Sequence, residues 1–169
     1  MKSVMKFNIY LAITAMILTV ALVVPAAAQK QAPFKGVLQG NDTDTCFSSP
    51  IVCVTTNGTG TGTLLGKFSF TLENTVNILT GTSTGVGHFI AANGDTIDVT
   101  IVGSGELIAP DVISITETYR ITGGTGRFAG AQGSFTVERL ASPVTFMTSG
   151  SFGGTITSPG AAKAEADED

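Results

Sequence analysis

The chain has 169 residues, two cysteines, one histidine and a formal net charge of −4 at pH 7. Its length suits a single domain. Its acidic balance, with no basic run, argues against a nucleic-acid partner, because phosphates are neutralised by clustered Lys and Arg.

The N-terminal segment has the pattern of a secretory signal peptide. Lys2 and Lys6 precede the apolar stretch Ile9–Val24, and small residues at Ala26–Ala28 form an A-x-A cleavage site. We therefore predict a signal peptide over residues 1–28, cleavage before Gln29, and a secreted or otherwise extracytoplasmic protein (periplasm or extracellular). The alternative is an uncleaved anchor, since the apolar run is near the lower limit for spanning a bilayer. Cleavage would leave no stable membrane anchor and a formal charge of −6.

Residues 29–158 have the composition of a β-barrel domain. Helical periodicity is absent, Thr, Val, Ile, Phe and Gly dominate, and turn signals recur about every ten residues. The predicted fold class is all-β, an eight-stranded antiparallel β-barrel whose interior is filled by side chains or holds one small ligand. Asn93-Gly94 predicts a type I′ hairpin turn, Asn57–Gly62 a flexible loop, and residues 159–169 an acidic disordered tail. The predicted strands are Phe34–Asn41, Ile51–Thr56, Thr63–Val76, Ser83–Ala92, Thr96–Gly103, Val112–Thr122, Ala131–Leu140 and Thr145–Ile156.

The two cysteines, Cys46 and Cys53, favour a structural disulfide, as an even pair in an exported chain usually does. A zinc site would need more ligands, and His88 is the only histidine. The spacing also lacks the C-x-x-C of redox-active pairs. We expect no metal site.

Charged residues on apolar strand faces mark the candidate site. Glu117 and Tyr119 share a face with the isoleucines of the sixth strand, and Arg139 follows Val137 on the apolar face of the seventh. A simple hairpin would place Glu117 near Val137 and diagonal to Arg139. Three interpretations stay open: charges in water at the barrel mouth, cavity groups for proton transfer or hydrogen bonding, and a buried structural ion pair.

Two further polar features receive structural interpretations. Asn41-Asp42-Thr43-Asp44 contains D-x-D, but a calcium loop needs further oxygen ligands and a glycine at set positions, so a turn is predicted. His88 shares a face with Val86 and Ile90 and is predicted to be a packed, hydrogen-bonded residue. No partner for it can be identified from the sequence.

The glycine cluster Thr122–Gly130 resembles the phosphate-binding turn of dinucleotide-binding folds. That turn requires a helix after it, whereas Ala131–Leu140 alternates as a strand and only about forty residues follow Gly130. We predict instead a loop between antiparallel strands and no bound cofactor. Its structural glycines are Gly123, Gly124, Gly126 and Gly130, and the first three are expected to be needed for positive φ.

The same segment, Gly123-Gly124-Thr125-Gly126-Arg127-Phe128 followed by Gly130, Ala131 and Gly133, is similar to the glycine-rich segment of allene oxide cyclases and dirigent proteins. Leu65-Gly66-Lys67-Phe68 and Ala91-Ala92-Asn93-Gly94-Asp95 resemble recurring segments of small exported bacterial proteins with this barrel. The resemblance implies an eight-stranded antiparallel barrel with an apolar cavity, often in homo-oligomers. It also implies either cyclisation of unsaturated lipid or polyketide precursors, or orientation of radicals. Its catalytic residues cannot be transferred to positions here.

Two functions are therefore expected to compete. The first is a non-enzymatic exported barrel that binds a small apolar ligand or acts at the cell surface. The alternative is a cyclase or isomerase for an unsaturated lipid or polyketide-like substrate, with Glu117, Tyr119 and Arg139 as candidate catalytic residues. An open cavity containing Glu117 would favour the enzyme, and a completely filled barrel would exclude it.

Overall fold

The computed structural model describes residues 31–157, which form one closed barrel of eight antiparallel strands. The all-β, eight-stranded prediction is confirmed. Each strand pairs with the next, and β1 pairs with β8. The predicted signal peptide and acidic tail lie outside the described residues, and no helix within residues 31–157 is long and apolar enough to cross a membrane. The strands are β1 (Ala32–Ser48), β2 (Ile51–Gly62), β3 (Gly66–Asn77), β4 (Thr82–Ala91), β5 (Thr96–Ala109), β6 (Val112–Gly124), β7 (Gln132–Ala141) and β8 (Met147–Thr157).

Antiparallel order divides the connections between two ends of the barrel. The chain enters at Ala32 and leaves at Thr157 at one end, which also carries the β2–β3, β4–β5 and β6–β7 connections. This closed end is filled with aromatic rings: Phe135 lies 5.0 Å from Phe34 and 5.4 Å from Phe152, measured between ring centroids. Phe128, from the 3-10 turn after β6, is also buried there. The β1–β2, β3–β4, β5–β6 and β7–β8 connections form the opposite, open end.

The first two strands are longer than predicted. The flexible loop predicted over Asn57–Gly62 is wrong, because these residues pair along β2 with both β1 and β3. Gly58 and Gly60 face inward, and a Cβ at Gly58 would lie 2.5 Å from the ring of Phe70. The glycines therefore make room for phenylalanine rings inside a narrow barrel, rather than making the segment flexible.

Strand β1 also continues through the predicted turn at residues 41–44, so that prediction is wrong as well. Beyond Asn41 the strand pairs only with β2, because its pairing with β8 ends at Asn41 and Met147. A bulge interrupts the register between Asp44 and Cys46. The following turn contains a cis peptide bond between Ser49 and Pro50.

The β4–β5 turn differs from the predicted type I′ geometry. Only Gly94 has positive φ, at 88°, whereas a type I′ turn needs it at both central residues. The side-chain Oδ1 of Asn93 instead accepts a hydrogen bond from the backbone N–H of Asp95, at 3.2 Å. Asn93 therefore stabilises the turn through its side chain.

The glycine-rich connection joins antiparallel strands, as predicted, and a short 3-10 turn precedes β7 in place of a long helix. Positive φ is present at Gly126 (57°) and Gly130 (71°), but the expectation for Gly123 and Gly124 is wrong, since both lie in β6 with negative or extended φ. Gly124 is constrained by space, because a Cβ there would collide with the carbonyl oxygen of Thr96 and lie 3.0 Å from Phe128. A Cβ at Gly123 would point into open space.

These adjacent glycines give a matched pair of variants. Gly124→Ala is expected to lower the free energy of unfolding by about 1–3 kcal/mol, because the added methyl group forces the backbone of Thr96 to move. Gly123→Ala is expected to change it by less than about 0.5 kcal/mol. Urea unfolding of both variants measures the difference, and equal effects would refute this account.

Candidate functional site

The open half of the barrel contains a cavity of about 420 Å³. Its walls are mainly aliphatic side chains from β2, β3, β5 and β6, and polar side chains lie at its base. The barrel is thus filled at one end and hollow at the other. The lining residues are Asp42, Asp44, Val52, Val54, Asn74, Val76, Ile78, Gly81, Ser83, Gly105, Leu107, Ile113, Ile115, Glu117, Arg139, Ala141, Ser142, Pro143 and Phe146.

Glu117 and Arg139 form an ion pair at the base of this cavity. Period-two alternation directs both side chains inward, and Glu117 pairs with Val137 in the β6–β7 register, as the hairpin predicts. Arg139 Nε lies 3.1 Å from Glu117 Oε2, and Nη2 lies 3.4 Å from Oε1. Only 1% of Glu117 and 6% of Arg139 is exposed. The interpretation that these charges lie in water at the barrel mouth is therefore wrong.

Two neutral groups complete the surroundings of the Glu117 carboxylate. The hydroxyl of Tyr119 donates a hydrogen bond to Oε2 at 3.0 Å. The amide nitrogen of Asn74 donates to Oε1 at 3.5 Å. With the two bonds from Arg139, each carboxylate oxygen accepts two hydrogen bonds, which compensates much of the cost of removing this charge from water.

Arg139 has two further partners on the first and last strands. Its Nη1 donates to the hydroxyl of Thr148 at 3.0 Å and lies 3.6 Å from Oδ2 of Asp42. The hydroxyl of Thr56 donates to the other Asp42 oxygen at 2.5 Å. Sequence reasoning missed Asp42, although it continues the inward series of Phe34 and Leu38 at intervals of four residues. Extending that alternation through Gly36 and Gly40 would have found it.

Glycines opposite the long polar side chains provide the space that they occupy. Gly103 pairs with Glu117 across β5 and β6, and a Cβ on this glycine would lie 2.5 Å from Glu117 Cγ. Gly150 pairs with Arg139, where a Cβ would lie 2.6 Å from Arg139 Cβ. The polar base therefore depends on residues that contribute no side chain to it.

Burial and the Glu117 carboxylate together set the ionisation of Tyr119 and Arg139. The pKa of Tyr119 is raised well above its ordinary value, first by burial and then by the negative charge of Glu117. Burial alone would lower the pKa of Arg139, but the carboxylate of Glu117 more than offsets this, so the pKa is raised. The phenol therefore stays neutral and the guanidinium stays charged at neutral pH.

Two buried polar atoms among the cavity-lining residues have no hydrogen-bond partner in the protein. They are Oδ1 of Asn74 and Oγ of Ser83, on side chains that belong to residues 4% and 7% exposed. An unpaired buried acceptor costs about 1–3 kcal/mol. Both atoms are covered by protein rather than exposed in the cavity, and Asn74 Oδ1 lies against Gly85, where a Cβ would collide with it.

Phe146 stands at the mouth of the cavity in a conformation that is unusual for an aromatic residue. Its φ is 58°, in the left-handed region that favours glycine. Its N–H donates to the carbonyl of Ser142 at 2.9 Å, and its own carbonyl accepts from the N–H of Asp42 at 2.7 Å. These bonds hold the β7–β8 connection, and with it the phenyl ring of Phe146, beside the opening of the cavity. The sequence carries no signal for this conformation.

The remaining predicted residues lie away from the cavity. The disulfide between Cys46 and Cys53 is confirmed, with Cα atoms 4.9 Å apart on paired strands. His88 is hydrogen-bonded as predicted, with Nδ1 2.6 Å from Oδ1 of Asp98, but it is not packed, because its side chain is 47% exposed on the outer wall. Within residues 31–157, no three His, Cys, Asp or Glu side chains are grouped as metal ligands.

Comparisons with known proteins add no relative from which a role could be transferred. No family model matches the chain, and no curated protein is significantly similar to it. The functional argument therefore depends on the cavity itself.

Removing one charge of the buried pair is expected to destabilise the fold. Glu117→Gln leaves Arg139 with Asp42 as its nearest carboxylate, so the free energy of unfolding is expected to fall by about 3 kcal/mol. Glu106→Gln, on the exposed part of β5, is the control and is expected to change it by less than about 0.5 kcal/mol. If denaturant unfolding gave similar small values for both variants, the pair would not be structurally important.

Tyr119 is expected to make stability fall in alkaline solution. Its pKa is higher in the folded protein than the unfolded value of about 10, so its contribution is intact below pH 10 and is lost as the pH rises through the folded pKa. Above pH 10 the loss approaches about 1.4 kcal/mol per pH unit. Tyr119→Phe should remove this part of the pH dependence, measured as unfolding free energy at pH 9 to 11. Identical slopes in both proteins would contradict the assignment.

Proposed function

We propose that this chain is an exported barrel that binds one small ligand with an apolar body in the open-half cavity, without chemical turnover. The observation that carries the proposal is the cavity volume of about 420 Å³, within the range of about 300–1,000 Å³ typical of small-molecule sites. Mainly aliphatic walls above a few fixed polar groups are also typical of such sites.

The two unpartnered polar atoms beside the cavity do not call for a polar group on the ligand. Asn74 Oδ1 can only accept a hydrogen bond, and it has no partner in the protein. Ser83 Oγ is likewise unpartnered and can accept as well. Both atoms are covered by protein, Asn74 Oδ1 by Gly85, so a ligand would instead place its hydrocarbon part against residues such as Val54 and Ile115.

The alternative of a cyclase or isomerase has one observation in its favour, because the cavity is open and Glu117 lies at its base. Tyr119 lies beneath Glu117 and does not line the cavity. Their surroundings favour binding over proton transfer. Both carboxylate oxygens of Glu117 are engaged by donors from Arg139, Tyr119 and Asn74. The raised pKa of Tyr119 makes its phenol a weaker acid than usual. A general base or acid needs a pKa nearer the working pH.

Export and family membership belong to the same proposal. The Cys46–Cys53 disulfide is compatible with an oxidising, extracytoplasmic compartment, and residues 1–28 carry the signal-peptide pattern. The closed antiparallel barrel agrees with the fold that the resemblance to allene oxide cyclase-like and dirigent-like proteins implies. We propose the chain as an exported protein of that kind.

Binding can be tested with an uncharged naphthylamine dye, whose fluorescence increases in apolar sites. Ala141 lines the cavity and is buried, so Ala141→Phe is expected to fill it and weaken dye binding by about tenfold or more, equivalent to 1.4 kcal/mol. Ala92→Phe, in the exposed β4–β5 turn at the closed end, is the matched control and should bind as the native chain does. Thermal unfolding confirms that both variants fold.

Equal dye binding by the two phenylalanine variants would show that the cavity is not the site. Turnover of an unsaturated epoxide by the native chain, lost in Tyr119→Phe with dye binding retained, would favour the enzyme instead.

A further inference from the structure

The open end of the barrel is surrounded by exposed apolar side chains. Each of its four connections, or the strand end beside it, contributes at least one of them, and Leu79 and Phe47 are 81% and 71% exposed. We call this set the apolar ring: Phe47, Leu79, Ile108, Val144, Phe146 and Met147. At the closed end, Leu64 is the only large apolar side chain with comparable exposure among the described connections.

The apolar ring is continuous with the cavity. Ile78 and Leu107 line the cavity and are also exposed at the same end. Phe146 belongs to both surfaces as well. Apolar side chains are therefore present from the outer tips of the connections into the barrel, and exposed apolar patches mark interaction sites for proteins or membranes.

The charges at this end restrict what can cover the ring. Asp44, Glu106 and Asp111 are exposed there. Among residues 31–157, the basic side chains lie elsewhere: Lys35, Lys67, Arg120 and Arg127 are in the closed half, and Arg139 is buried. A second copy docked ring to ring would bring these carboxylates together, and an anionic membrane would repel them.

We propose that the apolar ring docks the protein on a lipid surface of zero net charge, with the cavity opening toward the lipid. The chain enters and leaves the barrel at the opposite end, so docking leaves Ala32 and Thr157 on the side facing water. This proposal concerns the rim and does not rest on the identity of the cavity ligand, because empty vesicles are the binding partner in its test.

The absence of tryptophan from the sequence gives a direct test. Leu79→Trp places a single indole on the ring, and Val86→Trp places one on the outer wall of β4, where Val86 is 51% exposed. Both variants are purified from the exported fraction, so that the apolar segment Ile9–Val24 does not itself bind lipid. They are mixed with phosphatidylcholine vesicles, with and without brominated acyl chains. The indole at residue 79 is expected to shift its emission to shorter wavelength and to be quenched by bromine, while the indole at residue 86 remains unchanged.

Second substitutions test the contribution of the ring. In the Leu79→Trp background, Ile108→Ser is expected to weaken vesicle partitioning by about tenfold, because one large aliphatic side chain no longer leaves water. Val37→Ser, on the outer wall of β1, is the control and should leave partitioning unchanged.

Three outcomes would overturn the proposal. Equal quenching at residues 79 and 86 would mean that another part of the chain binds the vesicle. An emission shift that depends on protein concentration without lipid would identify a second copy as the occupant. No shift with neutral vesicles would exclude the lipid surface and leave a protein partner.

Discussion

The limited width of an eight-stranded barrel is the constraint on which the rest of this structure depends. Its interior has just enough room for side chains from all strands. In this chain some inward positions hold large side chains and the positions opposite them hold glycine. Examples are the cross-strand pairs Phe68 with Gly60, Phe70 with Gly58, and Glu117 with Gly103. Large residues on one strand are thus accommodated by glycines on the next. The aromatic packing of the closed half and the polar base of the open half both follow from this exchange.

The buried ion pair stands at the boundary between the two halves. Below it, Tyr119 joins the aromatic cluster, with its ring centroid 5.1 Å from that of Phe135. Above it, the cavity begins. Tyr119 thus packs its ring against the filled half and directs its hydroxyl toward Glu117. The Glu117 carboxylate and the Arg139 guanidinium each contact at least three polar neighbours, and these contacts fix their orientations. Such fixed groups give the cavity a rigid base.

Much of the fold and part of the site could be predicted from the sequence. Period two identified the inward direction of Glu117, which lies between Ile115 and Tyr119 on its face, and of Arg139, which follows Val137 on its face. The same rule failed for Asp42, since Gly36 and Gly40 interrupt the apolar series in β1 and glycine carries no sign of burial. It also failed for Asn57–Gly62, because a strand whose glycines make room for phenylalanine rings has the same composition as a flexible loop. The exposed His88–Asp98 pair could not be predicted without the β4–β5 register.

One edge of the sheet is left open despite closure of the barrel. Strand β1 runs on after Asn41 without a partner from β8, so its backbone groups between Thr43 and Ser48 face no eighth strand. Such edges invite pairing with another chain, and proteins protect them with bulges and charges. Here the bulge between Asp44 and Cys46 interrupts the regular hydrogen-bond spacing of the edge. The exposed carboxylate of Asp44 also disfavours pairing with a strand from another chain. The Cys46–Cys53 disulfide links the extended end of β1 to β2. The extension of β1, which forms part of the cavity wall, is therefore protected from pairing with a strand of another chain.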